Sequence, residues 1–168
     1  MEILKEIKNR STVKSFSSSS IDKERMNRIL EAGRLAPSAK NRQPWRFIVI
    51  QNLEKKEKIK DACYGDVRLS DCGAVVALCS TNIDYKMPNG QLSYPIDIAF
   101  AASFMLLQAE HEGLGSALLT TFREQDIADM LSVPYGMRIV LLLLLGEKKT
   151  QNTAYRFSKD RIISYDHW

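Results

Sequence analysis

A chain of 168 residues, 45% hydrophobic and 26% charged, suits one domain that buries roughly two thirds of its unfolded surface, and it excludes a disordered or fibrous polymer. The net charge of +4 is spread along the chain, which favours a small anion over a nucleic acid as partner. Three cysteines without a CxxC pair (Cys63, Cys72, Cys79) and two distant histidines (His111, His167) argue against a disulfide framework, a local zinc site and Ser-His-Asp or Cys-His chemistry.

In chain order, Ile3, Leu4 and Ile7 mark a short amphipathic helix over residues 2–9, and a Ser-rich connection follows from Ser15 to Ser20. Asp22 is placed to cap a helix carrying Met26, Ile29, Leu30 and Gly33 on one face and ending before Pro37. Leu35 to Phe47 is a polar turn bracketed by Pro37 and Pro44. It reads either as a rigid binding loop or as a helix-to-strand connection whose Ser38, Asn41 and Gln43 satisfy local backbone groups.

Phe47 to Ile50 reads as a central strand, Glu54 to about Ala62 as a charged helix, and Ala74 to Cys79 as a second buried strand. Asn82 to Tyr94, with Pro88-Asn89-Gly90, is a loop. Ile96 to Glu112 is apolar almost all round, which predicts a core or interface helix, with Gly113 and Gly115 as C-cap and turn. Thr121 to Glu124 fits a capping box for a helix through Leu131, and Ile139 to Leu145 is a third buried strand ending at Gly146.

Residues 147–168 form a polar tail that carries Tyr155, Phe157, Tyr165 and Trp168, so it should dock on its own body or on a second subunit. An exchanged arm beside an all-apolar helix favours a homodimer. Neither the charged N-terminus nor any apolar run suits a signal peptide or a membrane span, so a cytoplasmic protein with no membrane partner is expected.

Two basic clusters stand out. Arg10-Ser11-Thr12-Val13-Lys14 puts two cations four residues apart with hydroxyls between them, a phosphate grip in chemistry, since guanidinium and ammonium groups make charge-assisted bonds to phosphate oxygens. Lys159 and Arg161, two residues apart, would point to one side of an extended tail.

Taken in order, Arg10 to Phe16, the Pro37-Ser38-Ala39-Lys40-Asn41-Arg42-Gln43-Pro44-Trp45 signature, Gly113-Leu114-Gly115, and Gly146 with Lys159 and Arg161 resemble the FMN-dependent nitroreductase family over nearly the whole chain. The resemblance implies an α+β nitroreductase-like fold with a mostly antiparallel sheet flanked by helices. It implies one domain over 1–168, an intertwined homodimer with an exchanged C-terminal arm over about 147–168, and FMN at the interface.

Carried over by position, Arg10, Ser11, Thr12 and Lys14 would hold the FMN phosphate and ribityl chain, and Lys159 and Arg161 would close on the same phosphate. Pro37, Ser38, Ala39 and Asn41 of the other subunit would line the isoalloxazine, and the stretch around Leu118, Leu119 and Thr120 would offer backbone groups to its edge. The implied activity is ping-pong reduction of nitroaromatics, quinones or similar acceptors by NADH or NADPH. Chemistry is carried by the flavin, with no catalytic side chain and with positive charge from Lys14 and Arg10 near its pyrimidine edge.

Lys14 stands where many members have arginine, which loses the bidentate fork. The chain is short for the family, its 82–95 loop is brief, and residues 67–74 offer no obvious extra cationic contact. Flavin fragmentation or reductive dehalogenation on the same fold, and a non-catalytic FMN-binding protein, are the alternatives; the brief loop argues against the first two.

Overall fold

In the computed structural model, which describes residues 2–151 and 155–168, helices cover both faces of a five-stranded sheet. The elements are α1 (Lys5–Asn9), β1 (Val13–Ser17), α2 (Lys23–Arg34), a 3₁₀ turn (Ala39–Asn41), β2 (Trp45–Ile50), α3 (Leu53–Ala62), α4 (Arg68–Asp71), β3 (Ala74–Ser80), α5 (Tyr94–His111), β4 (Gly115–Leu119), α6 (Glu124–Leu131), β5 (Arg138–Gln151) and α7 (Lys159–Ile162). Strands run in the order β1-β5-β3-β2 with β4 also on β5, and every ladder is antiparallel. This is the α+β arrangement expected.

The apolar runs of β3 and β5 are continuous because both sheet faces are covered. Successive side chains point to opposite faces. Val76, Leu78, Leu143 and Leu145 pack with Met26 and Ile29 of α2 and Ile98, Ala102 and Met105 of α5. Val75, Ala77, Leu142 and Leu144 pack with Ile59 and Ala62 of α3 and Ile127 of α6. The Asp22 cap forms as predicted, its carboxylate accepting the Arg25 N–H at 2.9 Å.

Several local expectations give way to tertiary context. The strand beginning near Phe47 is not central: β2 pairs only with β3 and lies at the sheet edge. Residues 13–17 form a strand where a Ser-rich connection was expected, because the second half of β5 offers it a partner edge and Val13 and Phe16 enter the core. Gly146 does not end the third strand. β5 runs on to Gln151, with Gly146 opposite Gly115. Gly115 therefore opens β4 rather than forming a turn. The 121–124 capping box is absent as well: Arg123 occupies the N-cap without a side-chain bond, and Glu124 accepts the Ile139 N–H at 3.0 Å and pairs with Arg138.

Among the described residues beyond β5, 155–168, the regular structure is one helical turn, α7, which replaces the extended geometry expected at Lys159 and Arg161. Tyr155, Phe157, Tyr165 and Trp168 are all exposed, so the described part of the tail does not dock on its own body. Residues 152–154 of the expected arm lie outside the described residues. Among the described residues no helix is long and apolar enough to cross a membrane.

Candidate active site

The N-terminal basic segment enters β1 directly. Val13 is fully buried while Thr12 and Lys14 on either side are exposed, so the strand anchors on an apolar residue and presents its polar neighbours. A parallel bridge joins Thr12 to Ser116 of β4 and brings the 10–14 cluster against the strand that ends at Leu118 and Leu119. This close approach needs glycine at 115, where a Cβ would stand 2.6 Å from Val13 Cγ2 and 2.8 Å from Lys148 Cγ.

Ser11 is buried, and among the described residues its Oγ has no hydrogen-bond partner. A buried hydroxyl left unpaired costs free energy that a bound group could recover. Arg10 and Lys14 form no ion pair among the described residues, whereas nearby Lys148 is neutralised by Glu110 at 2.8 Å. The cluster is thus an open cationic cradle with one orphan hydroxyl. Leu118 is 40% exposed at the β4 end, and Leu119 turns inward.

The 37–43 loop is fixed to the first turns of α5. Asp97, 2% exposed, accepts the Ala39 N–H on Oδ1 at 2.7 Å, and its Oδ2 has no partner. Ser38 Oγ accepts the Gln43 N–H at 2.9 Å, and the Gln43 amide donates to Asn41 Oδ1 at 3.2 Å. The connection reading of this loop is therefore correct for Ser38, Asn41 and Gln43, which do satisfy one another. That local satisfaction holds an unusual backbone: Lys40, Asn41 and Gln43 have φ of 51°, 54° and 51°, left-handed values that only Asn among them adopts readily. Pro37 and Asn41 remain exposed, and Ser38 and Ala39 half-buried.

No hydrogen bond or ion pair among the described residues joins this loop to the 10–14 cradle. Lys159 and Arg161 also stand apart on exposed α7, with Arg161 stacked 4.2 Å from the Phe157 ring centroid. One chain brings together the first cluster and β4, and leaves the loop and the tail cations elsewhere.

Three contributors escaped sequence reasoning: Asp97, Ser116 and Tyr85. Asp97 carried a signal, since it is a lone acid in the first turns of an otherwise apolar helix. Tyr85 carried none. Its ring lies 3.6 Å from Arg42 Cζ and 5.6 Å from Lys40 Nζ, a contact set by the fold. Residues 67–74 hold one arginine, Arg68, and Asp66 occupies it at 2.5 Å. Side chains suited to acid–base or nucleophilic work are scarce: burial pushes the Cys63 thiol up to about 12 and Cys72 and Cys79 to about 11. No metal-holding cluster occurs among the described residues.

The family model described as Nitroreductase family matches residues 7–82 and 67–147, so the chain belongs to the nitroreductase family and with it to the oxidoreductases. A protein of Archaeoglobus fulgidus, provisionally named NADH dehydrogenase/NAD(P)H nitroreductase, is 30% identical over 169 residues that cover 96% of each chain. The crystal structure of a nitroreductase family protein from Clostridium difficile 630 is similar over 100% of both chains, with a TM-score of 0.87 and 26% identity. An FMN-dependent nitroreductase from Clostridium difficile R20291 shares the fold at a TM-score of 0.86 and 21% identity, with 99% of this chain and 100% of that one covered.

Proposed function

We propose that the protein is a homodimeric FMN-dependent NAD(P)H oxidoreductase that reduces nitroaromatics, quinones or similar electron-poor acceptors. The observation that carries this reading is the cradle of Arg10, Ser11, Thr12 and Lys14 against β4, with its unpaired cations and the orphan Ser11 hydroxyl. These donors fit a phosphate monoester.

FMN, when bound, supplies two-electron transfer between a nicotinamide and the acceptor. The protein's residues bind and orient. Arg10 and Lys14 hold the phosphate end, Ser11 and Thr12 offer hydroxyls, and the β4 end at Leu118 and Leu119 offers backbone groups. Pro37, Ser38, Ala39 and Asn41 supply a stiff wall, fixed by Asp97, that limits water at the ring.

Support for the dimer comes from the apolar surface this chain leaves open. Phe100 and Phe104 of α5 are 44% and 40% exposed, and Ile7 of α1 and Ile3 and Leu4 just before it are more so. A groove of about 490 Å³ lined by Leu4, Ala32, Phe104 and Leu107 lies on this face. A second copy would cover it and receive the tail, whose Lys159 and Arg161 would then reach the partner's phosphate. It would also bring the 37–43 loop of one subunit to the cradle of the other, and so join two patches that a single chain keeps apart. FMN-incubated protein passed through gel filtration should retain about one flavin per chain in the dimer peak, whereas a colourless peak contradicts the proposal.

A further inference from the structure

Lys40 and Arg42 lie on the loop that the proposed function makes a flavin wall, yet that role uses neither side chain. Both converge on Tyr85, with Arg42 Cζ 3.6 Å and Lys40 Nζ 5.6 Å from its ring centroid. Stacking on the ring's negative face steers both cations to one place.

Tyr85 is itself fixed. Its carbonyl accepts the Ser93 N–H at 3.1 Å at the entrance to α5, and its own N–H donates to Asn82 Oδ1 at 3.2 Å. The loop is tied to the same helix through Asp97 and Ala39. Both halves of the cluster thus share one rigid base, and Lys86 follows in the hairpin closed by the Lys86–Leu92 bridge.

Among the described residues no carboxylate forms an ion pair with Lys40, Arg42 or Lys86, although ten other Lys and Arg side chains are paired. Like charges gathered without a counter-ion repel, and holding Lys40 at φ 51° adds backbone strain. A bound anion would relieve the first and give the second a purpose. Hydrogen bonding from Arg42, chiefly, and then from Lys40 holds the Tyr85 hydroxyl below the usual phenol value.

We infer that Lys40 and Arg42, backed by Tyr85, form an anion-binding station beside the flavin wall that selects substrates carrying a phosphate or carboxylate group. The station rests on the proposed function for its place in the reaction, but not for its chemistry. The group it takes belongs either to the nicotinamide donor, as the adenosine 2′-phosphate, or to an anionic acceptor.

Two probe pairs separate the sources by calorimetry on the purified FMN-loaded protein, whose cradle is then filled. They are 2′,5′-ADP against 5′-AMP, and 4-nitrobenzoate against 4-nitrobenzyl alcohol. The expected result is about tenfold tighter binding of 2′,5′-ADP than of 5′-AMP, or of 4-nitrobenzoate than of 4-nitrobenzyl alcohol, and loss of that preference in the Lys40→Gln/Arg42→Gln protein. Preference in the first pair assigns the donor phosphate, and preference in the second assigns the acceptor. Equal binding within both pairs, or a preference that survives the double substitution, overturns the inference. Flavin content is read from the absorbance of the same sample, so this failure is distinct from failure of the protein to hold FMN. In loaded enzyme the same station should set the NADPH/NADH or the charged/neutral acceptor ratio of kcat/KM, and raised salt should erode that ratio.

Discussion

Asp97 is the residue on which the 37–43 loop hangs. Its Oδ1 accepts the Ala39 N–H in a site closed to water. Asp97→Ala would leave that N–H unsatisfied and should cost about 1–3 kcal/mol in denaturant unfolding; Asp97→Asn, which keeps an acceptor, should cost less. Equal stability of the two variants would show that the bond contributes nothing. If Arg10 at the cradle and Arg161 of the tail hold the FMN phosphate as proposed, Arg10→Ala or Arg161→Ala removes a charge-assisted contact worth about 1.5–3 kcal/mol, and FMN affinity should fall roughly tenfold to a hundredfold while the flavin-free protein stays folded. Fluorescence titration with FMN decides this, and unchanged affinity in both variants would remove the phosphate role.

Titration belongs to the same scale. The Arg68 guanidinium bonded to Asp66 holds that carboxyl below its ordinary value near 3.8. A folded-state value lowered in this way stabilises the protein above the unfolded value, and the stabilisation is lost as pH falls through the folded one. Asp66→Asn should therefore flatten the decline of unfolding free energy below about pH 4 and leave a stability deficit at pH 7. An unchanged acid limb would contradict the pairing.

At the scale of elements, legibility tracked how local the cause was. The Asp22 cap, the α2 face of Met26 and Ile29, and the apolar runs of β3 and β5 were readable because capping and burial are written in neighbouring residues. β1 was not readable, since Ser15 and Ser17 carry little strand preference and their pairing with Thr150 and Glu147 is more than a hundred residues distant. The edge position of β2 was equally hidden: its sequence reports burial, not which neighbours it has. The site was legible as a set of motifs, but the clamp of Asp97 on Ala39 and the Tyr85 plate are products of packing. Gly115→Ala tests the close approach of β1 and β4, because a Cβ there meets Val13 at 2.6 Å. A loss of about 1–3 kcal/mol with weakened FMN binding is expected, and an unaffected protein would show that β1 and β4 need no such closeness.

For the whole molecule, the open face of α5 is the surface on which the proposed dimer would form. Its inner side packs on the sheet through Ile98, Ala102 and Met105, and its outer side shows Phe100 and Phe104. Phe104→Lys should shift light-scattering mass toward the monomer and reduce flavin retention with it, if the site spans two subunits. A variant that stays dimeric with full flavin would place the interface elsewhere.

The proposed function requires electrons to pass through bound FMN from a nicotinamide to an acceptor. Anaerobic stopped-flow mixing of the FMN-loaded protein with NADPH and with NADH reads that passage. Saturable bleaching of the flavin absorbance by at least one donor is expected, followed by its return when a nitroaromatic or quinone is added. A flavin that stays oxidised with both donors would rule the proposed function out.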